Sequence, residues 1–150
     1  MIDMTEHSLS RAALVAEARS WIGTPYRHQA SLKRVGCDCL GLVRGVWRGC
    51  IGTEPEQAPP YAPDWAEAGG METLHDAALR HLKPVSCENF AAGDVLLFRY
   101  RDGCVAKHVA IAASPERMIH AHDGAAVCEI AITPWWRRRL VQAFSFPGVS

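Results

Sequence analysis

The chain has no apolar run approaching the roughly 20 residues of a membrane span. It has no internal repeat and no low-complexity tract, and neither sign of charge is in excess. Sixteen Lys and Arg balance sixteen Asp and Glu, for a formal net charge of +0 with histidine neutral. That balance argues against nucleic acid or an anionic membrane as the main partner, and the missing span against membrane insertion. The opening Met1-Ile2-Asp3-Met4-Thr5-Glu6 carries neither a basic n-region nor an apolar h-region, so no secretion signal is visible. The expectation is synthesis in a cytoplasm, with any exit by another route. Cysteine is also too sparse for a disulfide scaffold. The six are Cys37, Cys39, Cys50, Cys87, Cys104 and Cys128, and reduced thiols without a structural disulfide are expected in that compartment.

What is present suits one folded unit. The 150 residues are 49% hydrophobic and 21% charged, enough for one core, and a single domain over 1–150 is expected. Ser10 to Ile22 reads as a helix with Ala13, Leu14, Ala18, Trp21 and Ile22 at helical spacing, Ser8 or Ser10 as its cap, and Gly23-Thr24-Pro25 as its stop. A loop from Tyr26 to Gly36 leads to a second helix, from Asp38 to about Cys50, with a stripe of Leu42, Val43, Val46 and Trp47. A long Pro- and Ala-rich connection covers Gly52 to Gly70, with Tyr61 and Trp65 expected to pack on the surface. A third helix, Glu72 to Leu82, places Leu74, Ala78, Leu79 and Leu82 on one face.

The pattern then changes to strands at Asp94–Tyr100, His108–Ala112, Met118–His122, Ala126–Ile132 and Leu140–Phe144. Turns fall at Arg101-Asp102-Gly103, at Ser114–Arg117 and at the hairpin signal Asp123-Gly124. Helices first and a small antiparallel sheet second give an α+β fold.

The chemistry concentrates in Gly36-Cys37-Asp38-Cys39-Leu40-Gly41-Leu42-Val43, where a polar turn runs into an apolar helix. A helix N-terminus presents unpaired N–H groups and the positive end of the dipole. Both favour an anion, so a thiol there is expected to be acidified toward thiolate. Cys39 is favoured over Cys37 because it falls on the first helical turn. Cys50, Cys87, Cys104 and Cys128 read as small buried hydrophobes or loop residues.

A thiolate needs a base and an orienting group. His108 begins one strand, and His120 and His122 share a face of the next. If these strands pair, His108 meets either His120 or His122. A helix carrying Cys39 packed on that face gives a Cys–His–His set. His7, His75 and His81 read as ordinary polar residues. Zinc is the competing use of Cys37-x-Cys39 and His120-x-His122, but the usual ligand spacings are absent.

At these residues the sequence resembles the NlpC/P60 family of cell-wall cysteine peptidases. Gly23-Thr24-Pro25-Tyr26-Arg27-His28 resembles its Gly-Thr-Pro-Tyr segment. Asp38-Cys39-Leu40-Gly41-Leu42-Val43 resembles its Asp-Cys-Ser-Gly nucleophile motif. Gly93-Asp94-Val95-Leu96-Leu97-Phe98, Lys107-His108-Val109-Ala110-Ile111 and Met118-Ile119-His120-Ala121 resemble three of its strands, in the family's order. The resemblance implies a papain-like α+β fold with Cys39 as nucleophile, His108 as base and His120, not His122, as the third polar residue. It implies that Tyr26 and the Cys39 N–H hold the oxyanion. It also implies cleavage of peptidoglycan stem peptides between γ-D-glutamate and a diamino acid, with no metal or organic cofactor. Two departures lie near the substrate groove. Leu40 stands where the family has serine, and His28-Gln29-Ala30 where it has an aromatic residue and two glycines.

The stretch Gly-Cys-Asp-Cys-Leu-Gly-Leu-Val at 36–43, followed by Pro59-Pro60-Tyr61 and Trp65, is most similar to family members carried by tailed phages and gene-transfer-agent particles. That similarity implies partners in the tail hub or baseplate, delivery by the particle, and action in the recipient's periplasm. A mainly structural tail component, docking through Tyr61 and Trp65 or through Trp135-Trp136, and an amidase on the same fold are the alternatives. Trp135-Trp136-Arg137-Arg138-Arg139 reads either as a wall-contacting patch or as core tryptophan beside a solvated basic edge.

Overall fold

The computed structural model describes residues 9–55, 73–100, 107–122 and 124–149. The connection bearing Tyr61 and Trp65, the turn at 101–103, Cys104 and Asp123 lie outside them.

Helix α1 (Arg11–Arg19) starts where the Ser10 side chain accepts the Ala13 N–H at 3.0 Å, and it buries Leu14, Val15 and Ala18. It ends a turn before the expected Ile22. The Ser20 hydroxyl donates to the Glu17 carbonyl, the next N–H groups bond three residues back, and Gly23 turns the chain at φ +93°. Ile22 is consequently exposed.

The stretch expected as loop contains a short antiparallel hairpin, β1 (Ser31–Leu32) and β2 (Gly36–Cys37). It is moored to α1 by the Lys33–Glu17 ion pair at 2.8 Å and to Thr24, whose hydroxyl accepts the Arg34 N–H at 2.9 Å. Helix α2 (Cys39–Cys50) buries Leu42, Val43 and Val46. Each such side chain contributes about 1.5–3 kcal/mol on leaving water. Helix α3 (Thr73–His81) turns Ala78 toward the core, with Leu82 just beyond it, while Leu79 is 48% exposed, off the face expected of it.

The remaining elements are β3 (Lys83–Val85), β4 (Val95–Phe98), β5 (His108–Ser114), β6 (Arg117–His120), β7 (Cys128–Ala131), α4 (Pro134–Arg137) and β8 (Leu140–Ser145). The strands form one antiparallel sheet in the order β3-β8-β4-β5-β6-β7. Strand β3 lies outside the expected strands; it tolerates Pro84, which cannot donate to a ladder, because it is an edge strand. The hairpin signal Asp123-Gly124 falls partly outside the described residues, but the strands on either side pair His120 with Cys128, farther apart than a two-residue turn would place them. Ala121 and Val127 are buried, and Val127 exchanges backbone bonds of 2.9 Å with Gly23 and Thr24.

Side-chain alternation gives the sheet two apolar faces. Val95, Leu97, Val109, Ile111, Ile119 and Phe144 face α1 and α2. Leu96, Phe98, Ala110, Ala112 and Met118 face the other way, toward Phe90, Ile132 and Trp136. The helical layer is joined to the sheet by Arg11, whose guanidinium lies 2.7 Å from the buried Asp94 carboxylate. The architecture is the α+β fold expected, helices on an antiparallel sheet.

Candidate active site

Cys39 is the first residue of α2, and Asp38 is its cap. One Asp38 oxygen accepts the Gly41 N–H at 2.7 Å and the other accepts the Gln29 N–H at 2.7 Å. The same carboxylate lies 3.8 Å from His28 Nδ1. Asp38 thus joins the segment after Tyr26 to the start of the helix. Tyr26 is half-buried and bridges Cys37, flanked by backbone bonds from Cys37 to Pro25 and from Arg27 to Cys37 at 3.0 Å each. It is thereby held on the strand that leads into Cys39.

The Cys39 sulfur lies on the Val109 N–H, beside His108, and also on the N–H groups of Leu40 and Cys39 itself. These donors favour the thiolate, as a helix start should. Burial outweighs them, with the Asp38 charge adding to it, and pushes the thiol up to about 12. Burial thus runs against the acidification expected of a thiol at a helix start. Cys37, fully buried on β2, is also pushed up to about 12 by burial and then by Asp38 and Cys39.

His108 opens β5, and its Nε2 lies 2.9 Å from His120 Nδ1 on β6. Extending the register of Ile111 opposite Ile119 puts His108 directly opposite His122. The bond is nonetheless made diagonally, to His120. His122 stays close, its ring centroid 5.6 Å from those of both partners. Both bonded histidines are buried. Burial, then His120 and His122, holds His108 well below the usual imidazole range. Burial and then His122 lower His120 to about 4. The pair is neutral at pH 7.

One expectation about packing is overturned. Helix α2 does not lie on the sheet face that carries the histidines. It covers Val109 and Ile111, whereas His108 pairs with Phe98 on the opposite face, because side chains alternate along β5. Cys39 reaches the beginning of β5 from the helical side, at the Val109 amide. Among the described residues the His108 ring is hydrogen-bonded to His120 and not to the thiol.

Sequence reasoning missed what lies behind the histidines. Trp136 of α4 is in ring contact with His108, His120 and His122, and also with Phe98 and Tyr100. The one available signal was Thr133-Pro134, a cap followed by proline at the first helical position, which starts a helix at that point. Trp135 is exposed, with the Arg139 guanidinium 3.7 Å above its ring. Cys37, Cys39, His120 and His122 do not gather as metal ligands, and no metal-binding group of three occurs among the described residues.

A cysteine on the first turn of a helix, laid against an antiparallel sheet that carries a bonded histidine pair, is a papain-like arrangement. The chain belongs to the NlpC/P60 family, whose model matches residues 23–145. Among solved structures it is similar to the NlpC/p60 domain of the peptidoglycan hydrolase SagA, at 28% identity over 91% of this chain and 98% of that one, with a TM-score of 0.65. It also shares the fold of an NlpC/P60 family protein from Bacillus cereus, at 20% identity, 93% and 41% coverage and a TM-score of 0.68. A protein from Staphylococcus aureus of the NLP/P60 family matches at 22% identity, 97% and 42% coverage and a TM-score of 0.59. The chain thus spans less than half the length of these last two. No curated protein matches it.

Proposed function

We propose that the chain is a cysteine peptidase that hydrolyses peptidoglycan stem peptides, at the bond between γ-D-glutamate and the diamino acid, as a single catalytic domain. The observation that carries this reading is the Cys39 sulfur on the Val109 N–H, next to a buried His108 already bonded to His120. NlpC/P60 members are cysteine peptidases or amidases of peptidoglycan, which supports the substrate class.

In this reading His108 takes the Cys39 proton on Nδ1. Its Nε2 then carries hydrogen and donates to His120 Nδ1, which sets the proton of His120 on its own Nε2. Sulfur attacks the γ-glutamyl carbonyl carbon, and the oxyanion is held by the Tyr26 hydroxyl and the Cys39 N–H. The tetrahedral adduct collapses, the C–N bond breaks, and the His108 imidazolium protonates the leaving amine. Water, deprotonated by His108, then releases the acid from the thioester and restores the thiol.

We further propose that a phage or gene-transfer-agent tail carries the protein, bound at the hub or baseplate, to the recipient periplasm after assembly in the producing cytoplasm. The support is the run from Gly36 to Val43, most similar to tail-associated members. Mass spectrometry of defined muropeptides incubated with wild type and Cys39→Ala tests the chemistry. The expected result is loss of the residues beyond D-glutamate with wild type alone. Release at the muramyl–alanine bond would make it an amidase. Turnover by Cys39→Ala would remove Cys39 from the mechanism, and no cleavage even by assembled particles would favour the structural alternative.

A further inference from the structure

We propose that Trp136 is a positioning residue for the histidine pair, its indole supporting the positive charge that His108 carries during turnover. This rests on the reading of Cys39 and His108 as thiol and base. The Trp136 ring centroid lies 5.4 Å from that of His108, with the planes 31° apart, and 5.5 Å from that of His120, edge-on at 87°. The first geometry is a tilted ring contact, the second a T-shaped one. A cation within about 6 Å of an indole face is attracted by its quadrupole, most strongly for tryptophan.

Among the described residues, the surroundings of His108 leave this support to His120 Nδ1 and to aromatic rings. The titratable groups in ring contact with it are His120 on β6, His122 just beyond, and Tyr100 after β4, stacked at 5.8 Å. Lys107 lies over the Tyr100 ring, and Cys39 of α2 sits at the adjoining Val109 amide. None of these groups is a carboxylate. Among the described residues, a proton arriving on His108 therefore meets the His120 Nδ1, which accepts from its other nitrogen, and aromatic faces that favour the charge.

The indole is also fixed. Thr133 caps α4, Arg137 donates to the Pro115 carbonyl at 2.9 Å, and Arg139 donates to the Tyr100 carbonyl at 3.0 Å and the Trp135 carbonyl at 2.9 Å. Phe98 at 5.0 Å and Trp135 at 4.8 Å close the ring in from its other edges. The hydrogen bonds hold the α4 backbone, and swinging the indole away would give up its contacts with Phe98 and Trp135, so the ring can constrain the imidazoles.

The test compares Trp136→Phe, which keeps an aromatic face, with Trp136→Leu, which does not. Trp136→Met takes the place of the leucine variant if that one fails to fold by circular dichroism. Peptide-resolved alkylation of Cys39 by iodoacetamide at pH 7 needs no turnover, and Cys87, on the opposite edge of the sheet, is the internal reference. Trp136→Leu is expected to slow Cys39 alkylation about tenfold relative to Cys87, and Trp136→Phe to stay within about threefold of wild type. On muropeptide, kcat should fall in the same order, with KM within about twofold. A folded leucine variant with wild-type alkylation, or a phenylalanine variant as slow as leucine, would overturn the proposal. If wild type alkylates as expected but neither the free protein nor assembled particles hydrolyse muropeptide, the hydrolase reading fails while the alkylation series still decides the role of Trp136.

Discussion

Asp38 grips Gly41 from one carboxylate oxygen, at 2.7 Å, while its other oxygen holds the Gln29 N–H at 2.7 Å. One buried side chain therefore caps the helix that begins with Cys39 and pins the segment that carries Tyr26 and His28. A lost cap costs about 1 kcal/mol, and the Gln29 N–H would lose its carboxylate acceptor as well. Asp38→Ala should therefore lower the unfolding free energy by about 2–3 kcal/mol. Urea denaturation reads this directly. A loss under about 0.5 kcal/mol would mean that water replaces both bonds at no cost.

Gly41 tests the same junction from the other side. In a helix interior Gly→Ala normally gains about 0.5–1 kcal/mol. Here an added Cβ would come 1.9 Å from the Ala30 carbonyl oxygen, which belongs to backbone and cannot fold aside. The sign should therefore reverse, with Gly41→Ala destabilising by about 1–3 kcal/mol. Muropeptide turnover should fall further than stability explains, because the shift separates Tyr26 from Cys39. A stabilised Gly41→Ala protein would show that the 27–30 segment moves freely against α2.

These two residues also show how far sequence alone could go. Cap, glycine and cysteine are adjacent in the chain, so α2 and its first turn were legible from local chemistry. The continuous apolar runs of β4 and β5 were legible for the same reason. Strand pairing alone left the partner of His108 open, since Ile111 opposite Ile119 sets a register that favours His122; the bond goes diagonally to His120, the residue the family resemblance named. The face His108 occupies was not legible, because parity along β5 follows from which side α2 covers. Nor was the balance at the Cys39 thiol, because the helix-start donors compete with a burial that depends on the whole fold. Trp136 sits on a four-residue helix with no periodicity to read.

Asp94 binds the two layers together. Its carboxylate is buried, meets Arg11 at 2.7 Å, and accepts the Ala91 N–H at 2.9 Å. Removing one partner of a buried pair strands the other, at about 3–5 kcal/mol. Arg11 is partly exposed and can turn to water, so Asp94→Ala should cost about 2–3 kcal/mol, and Arg11→Met more than that, since it leaves the buried charge alone. Urea midpoints of the two variants, compared at pH 7, check the order. Equal midpoints would mean that Asp94 draws its support from the Ala91 N–H alone.

Acid should unfold this protein through its histidine pair. His120 titrates at about 4 in the folded chain, against 6.5 for an unperturbed imidazole, because burial and then His122 oppose its charge. Above pH 6.5 neither state binds the proton, and His120 imposes no penalty. As pH falls from 6.5 to 4 the unfolded chain takes up a proton that the folded chain refuses. The unfolding free energy then drops, by about 3 kcal/mol for His120 alone at full effect. His108, held low by burial and by both neighbouring histidines, acts in the same direction. His120→Gln keeps a side chain able to accept from His108 but removes one titration and relieves His108 of a like charge. Urea midpoints at pH 7 and 4.5 should therefore fall steeply in wild type, and by roughly half as much in His120→Gln. Parallel losses in the two proteins would place the acid sensitivity elsewhere in the fold.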